Sequence, residues 1–106
     1  MSNPNAVPKT APDNVTISAI NASAIYLQWE GTITQVGVIR DYVIHVLEVD
    51  TGLVMEYRTS LTSIAIFVHP DYVYSCSVSA FTVASGPFSE VVTVKTPQAG
   101  EYESIH

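Results

Sequence analysis

The stretch Val68-His69-Pro70-Asp71-Tyr72-Val73-Tyr74, running directly into Ser75-Cys76-Ser77-Val78-Ser79-Ala80, constrains this chain more than any other. From Tyr74 onward, small or apolar residues alternate with serines, the period-two pattern of a strand buried on one face. Pro70 cannot donate to a ladder and fixes its own φ, so it ends the preceding strand and sets a turn. Tyr74 then opens the next strand with its ring inward and its hydroxyl free to bond the backbone of the corner. The expected bond runs from the hydroxyl to a corner carbonyl. This layout is the tyrosine corner of β-sandwich domains, and it points to a fold rather than to a chemistry.

The rest of the chain repeats the same period. Val15 to Ile20 alternates as a first strand, and Asn21-Ala22-Ser23 turns it into a second, Ala24 to Trp29, with Ile25, Leu27 and Trp29 on one face. Glu30 to Val38 reads as a loop. Ile39, Tyr42, Ile44 and Val46 mark a third strand, and Asp50-Thr51-Gly52 leads to a fourth at Val54 to Thr59. Ser63 to Val68 is a fifth and Tyr74 to Thr82 a sixth. Ala84 to Pro87 reads as a turn, and Glu90 to Thr96 as the seventh strand, stopped by Pro97. No segment has a helical period. Seven short strands rich in Val, Ile, Thr and Tyr predict an all-β, antiparallel, immunoglobulin-like sandwich.

In order and spacing, these residues resemble a fibronectin type III domain over residues 12–97. The resemblance rests on Pro12, Trp29, Ile39-x-x-Tyr42-x-Ile44, the Val68/Pro70/Tyr74 corner, Val78-x-Ala80, Gly86, Ser89 and Val92-x-Val94-x-Thr96. Val68 stands where that family usually has Leu, and Tyr72 where it often has Thr. An immunoglobulin domain proper would bridge its sheets through a cysteine at position 76 and another on the second strand. That strand has no cysteine, and Cys76 is the only one in the chain. The fold must therefore stand without a disulfide. Trp29, Tyr42, Pro70, Tyr74 and Cys76 are the expected structural core.

At 106 residues the chain fits one domain, with residues 1–11 and 98–106 reading as linkers on either side. Met1-Ser2-Asn3-Pro4 has neither the charged nor the apolar region of a signal peptide and reads as the start of a piece taken from a longer protein. The net charge is −6, and only Lys9, Arg40, Arg58 and Lys95 are basic and they are scattered, so no nucleic-acid footprint is expected. Nor does any stretch offer the roughly twenty apolar residues of a membrane-spanning helix.

No catalytic, cofactor or metal site emerges. His45, His69 and His106 share no ligand-like spacing, and solvated histidines are expected. Serines abound without a nucleophile elbow or an acid–histidine partner. The parity of Cys76 with Tyr74 and Val78 turns its thiol into the core, where it acts as a small, inert hydrophobe. Ser75, Ser77 and Ser79 take the outward positions of that strand. Arg40-Asp41 lacks the glycine of an integrin-binding Arg-Gly-Asp, and a lone Trp29 rules out the Trp-Ser-x-Trp-Ser signature of cytokine receptors.

Two features remain as candidate sites. Asn14-Val15-Thr16 and Asn21-Ala22-Ser23 both satisfy the acceptor pattern for N-glycosylation, which operates only on exported chains. Ile33 and Val36 in the long loop, together with Val43, Leu47 and Phe81 at outward strand positions, form a candidate interface. The competing reading has Val36 and Val38 closing the core over Trp29, with the other apolar residues scattered singly. The resemblance implies a non-catalytic interaction or spacer module of a cell-surface receptor, adhesion or matrix protein, with neighbouring modules and an unknown protein as partners. An intracellular module, as in giant muscle proteins, and an accessory domain of a modular enzyme are the alternatives.

Overall fold

The computed structural model describes residues 7–31 and 39–99. Eight strands follow in order: β1 (Asp13–Asn21), β2 (Ala24–Glu30), β3 (Asp41–Glu48), β4 (Leu53–Thr59), β5 (Ser63–Phe67), β6 (Val73–Phe81), β7 (Ser85–Phe88) and β8 (Val92–Lys95). They form two antiparallel sheets. The smaller has the order β1-β2-β5; the larger runs β4-β3-β6, with β7 and β8 both pairing the far edge of β6. Residues that alternate in sequence face each other across the gap: Ile25, Leu27, Trp29 and Ile66 from one sheet, Tyr42, Ile44, Val46, Tyr74, Cys76, Val78 and Ala80 from the other. The Trp29 ring meets Tyr42 edge-on at 5.5 Å between centroids. Such contacts favour aromatic pairs beyond the area they bury.

The eighth strand corrects the sequence reading. Residues 84–87 were expected to turn, yet Ser85–Phe88 already pairs with β6 through Phe81↔Ser85 and Ser79↔Phe88. Pro87 lies within it, which is tolerated because β7 is an edge strand and needs no donor on its outer side. The chain breaks at Ser89, whose N–H donates to the Val78 carbonyl at 2.8 Å and whose Oγ accepts the Val78 N–H at 3.0 Å. One serine thus supplies both bonds that a continuous strand would have given to Val78. The N-terminal linker is also shorter than expected. Pro8 is buried against Gly86, where a Cβ would lie 2.7 Å from the Pro8 carbonyl oxygen.

The tyrosine corner forms with the opposite polarity to the one expected. The Tyr74 hydroxyl accepts the His69 N–H at 2.8 Å and donates to Glu48 Oε2 at 3.2 Å. The corner carbonyl is served by a different residue: Thr96 Oγ1 donates to the His69 carbonyl at 2.7 Å and accepts the Tyr72 N–H at 3.1 Å. Asp71 takes a left-handed φ of 59° in the turn, which a short polar side chain tolerates. Its N–H donates to the Pro97 carbonyl at 2.9 Å, and the Val68 N–H reaches the Ser23 carbonyl at 2.9 Å.

Glu48 is only 4% exposed. It stands directly opposite Tyr74 in the β3–β6 register and also accepts Thr51 Oγ1 at 2.8 Å. A buried carboxylate needs such donors to offset the loss of water.

Tyr74→Phe strips the His69 N–H of its acceptor and Glu48 of a donor at once. We expect a loss of about 1–3 kcal/mol in urea unfolding with an unchanged m-value. A variant as stable as the parent would show that water replaces the hydroxyl at no cost.

Candidate functional site

The outer face of the larger sheet holds the densest cluster of polar and aromatic side chains outside the core. Cross-strand register sets its rows. Arg58, Val43, Ser79 and Phe88 stand side by side, as do Glu56, His45 and Ser77, and then Val54, Leu47, Ser75 and Thr93. Side chains extend between the rows. The His45 ring stacks on Phe88 at 4.3 Å between centroids, and its Nε2 lies 3.0 Å from Glu56 Oε1. Arg58 Nε lies 4.0 Å from Glu56 Oε2, and its guanidinium sits 4.3 Å over the Phe81 ring. Phe88, His45, Glu56, Arg58 and Phe81 therefore form a belt in which each member touches the next.

The belt overturns part of the expected interface. Val43 does face outward, but it is 1% exposed because the belt residues close over its row. Phe81 is half-buried beneath Arg58 and is likewise no free apolar surface. Leu47 remains exposed beside its cross-strand partner Val54, at 36% and 60%. Ile33, Val36 and Val38 lie outside the described residues, as does His106. His45 is engaged by Phe88 and Glu56 rather than simply solvated. Parity placed Val43, His45 and Phe81 correctly on the outer face; the missed signal was that Arg58 and Glu56 share it.

Ser79 departs from expectation in the same way. It occupies an outward position yet is fully buried, and its Oγ has no hydrogen-bond partner; Trp29 Nε1 is buried and unpartnered too. Desolvating a hydroxyl without compensation is costly.

Cys76 is free and buried. Burial pushes its thiol up to about 12 from an ordinary value of 9.0, which keeps the nucleophilic thiolate out of reach. The Tyr74 hydroxyl is also raised, first by burial and then by the neighbouring Glu48 carboxylate, against the lowering effect of the His69 N–H. Asn14 and Asn21 are both exposed. Among the described residues, no group of three or more His, Cys, Asp or Glu side chains could hold a metal ion, and no helix is long and apolar enough to cross a membrane.

The fibronectin type III model matches residues 10–95, which span all eight strands. The chain belongs to the fibronectin type III family. Among solved structures, the domain is similar to the FN1–FN3 domains of chicken CNTN1, at 21% identity and a TM-score of 0.78 over 86% of this chain. It spans 33% of that three-domain chain. The fn3 domain of human contactin 1 aligns at 21% identity and a TM-score of 0.76, covering 93% of this chain and 87% of that one. The FN5 domain of Drosophila Lar aligns at 27% identity and a TM-score of 0.72, covering 88% of this chain and all of the other. No curated protein sequence matches.

Two predictions follow from the buried groups. Ser79→Ala removes a hydroxyl that bonds to nothing, so the variant should be more stable by about 1 kcal/mol in thermal or urea unfolding. Destabilisation would mean that a water reaches Ser79 beneath the belt.

For Cys76 and Tyr74 the folded state holds protons that the unfolded chain releases near 9 and 10.0. Their contribution to stability is therefore fully present below about pH 9 and falls as the pH rises from there towards 12. Urea midpoints measured across that range should be level and then decline. Cys76→Ala should start less stable but decline less steeply. In the native protein the thiol should resist aromatic disulfide reagents at pH 8 until urea unfolds the chain.

Proposed function

We propose that this fibronectin type III domain is a non-catalytic interaction and spacer module of a cell-surface receptor, adhesion or matrix protein. The observation that carries the reading is the cross-strand pair Leu47–Val54, exposed at one end of the larger sheet's outer face, beyond the belt. Ser75 and Thr93 border the pair in register, with their hydroxyls 3.2 Å apart, and Glu56 lies one row away. An apolar centre with a polar rim suits protein contact. Residues before Pro8 and beyond Pro97 serve as linkers to neighbouring modules. The two glycosylation motifs support residence outside the cell, and Asn14 and Asn21 are the acceptors there.

The competing location is intracellular, and a direct observation separates the two. An antibody raised against the folded domain should label intact cells expressing the natural protein, or the matrix around them. Labelling that requires permeabilisation would overturn the extracellular reading and select an intracellular module.

A further inference from the structure

Where β2 ends, the outer face of the smaller sheet is polar; at its other end it carries Phe67, 89% exposed and paired with Ala24. Thr16, Gln28 and Ser63 form one row across β1, β2 and β5, and Ser18, Tyr26 and Ala65 the next. Tyr26 thus stands between two small residues, with no bulky neighbour in register to cover its ring. A groove of about 330 Å³ runs over this face, lined by Asn14, Thr16, Tyr26, Gln28, Glu30 and Ser63 among others. That volume is at the lower end of small-molecule sites, roughly 300–1,000 Å³.

Asn14 reaches the groove because β1 is irregular there. Asp13 pairs with Glu30 and Thr16 with Gln28, so two residues, Asn14 and Val15, lie opposite the single residue Trp29. Val15 packs on the core, and Asn14 absorbs the extra position with a left-handed φ of 53°. The first and third residues of Asn14-Val15-Thr16 therefore line one groove. Asn21 is placed differently. Its Oδ1 accepts the Ser23 N–H at 2.8 Å within a tight turn, and its neighbour Ile20 is exposed and apolar.

We propose that Asn14 carries an N-linked glycan whose first N-acetylglucosamine residues lie in this groove over Gln28 and Tyr26, covering the polar end of the smaller sheet's outer face. The proposal rests on the extracellular reading above. In the transfer, Asn14 Nδ2 forms a bond to C1 of the first sugar of a lipid-diphosphate oligosaccharide. The C1–O bond to the diphosphate breaks, the lipid diphosphate leaves with the electron pair, and Nδ2 gives up one proton; nothing is oxidised or reduced. Hydroxyl and amide groups of Thr16, Gln28 and Ser63 match the polar edge of a pyranose. The Tyr26 ring matches its C–H face, and the Glu30 carboxylate can accept the acetamido N–H.

The test uses the full chain secreted by a eukaryotic host behind an added leader, with peptide mass mapping and thermal melts before and after glycan removal by an amidase. Thr16→Ala abolishes the motif without touching the left-handed Asn14. We expect Asn14 to be occupied in the parent and bare in Thr16→Ala. Amidase treatment should lower Tm by about 3 °C in the parent and in Asn21→Gln, and not in Tyr26→Ala. A bare Asn14 in the exported parent, a Tm indifferent to its glycan, or a full glycan-dependent shift in Tyr26→Ala would each overturn the proposal. The leader makes export independent of the natural location, so failure here is distinct from permeabilisation-dependent labelling of the natural protein.

Discussion

The Tyr74 hydroxyl is the junction on which the sandwich depends. It accepts from the backbone of the corner and donates to a carboxylate on β3, joining the end of β5, the start of β6 and the end of β3 at one oxygen. Thr96, just beyond β8, completes the junction by holding the His69 carbonyl and the Tyr72 N–H. A corner that crosses between sheets must leave its ladder, and its backbone groups would otherwise be buried without partners. Here two side chains supply those partners. Cys76 is unpaired and no disulfide ties the sheets, so the layers are held by the packed core, the Trp29–Tyr42 contact and this polar latch at the corner.

How much of this was legible in the sequence depended on whether the cause was local. Strand faces follow from a period of two, so the inward set from Ile25 to Ala80 could be read directly. The corner could be recognised from Pro70 and Tyr74, but not its polarity: Thr96 takes the carbonyl from more than twenty residues away, which leaves Tyr74 the N–H. Glu48 was legible in principle. It continues the inward series Tyr42, Ile44, Val46, and a buried carboxylate there should have been matched with a buried hydroxyl in need of an acceptor. Val43 and Ser79 were not legible from parity, since their cover comes from Arg58, Phe81 and Phe88 on neighbouring strands. β7 was obscured by Pro87, which marks a turn unless the strand is known to be an edge.

The two outer faces are finished in different ways, and the difference bears on function. On the larger sheet, the belt from Phe88 to Phe81 uses side chains to cover a sheet face, and leaves the Leu47–Val54 end bare. On the smaller sheet two rows are short and largely polar, with Tyr26 the one large ring in its row, and the row beyond them ends in exposed Phe67. A surface that covers itself gains little from a partner, because contact would have to displace stacked and paired groups. The proposed contact at the bare end of the larger sheet avoids that cost.

The core is indifferent to compartment, and this shifts the question of location to the surface. A thiol held protonated in an apolar gap neither forms a bridge outside the cell nor requires reduction within it. The latch at Tyr74 likewise uses only hydrogen bonds, which hold equally on both sides of a membrane. The same sandwich can thus be placed in either environment without change to its interior. What ties a copy to one of them is whatever its exposed residues recruit. In this chain the exposed residues proposed for that role are the two asparagines of the Asn-x-Ser/Thr motifs on β1 and the apolar pair on β3 and β4.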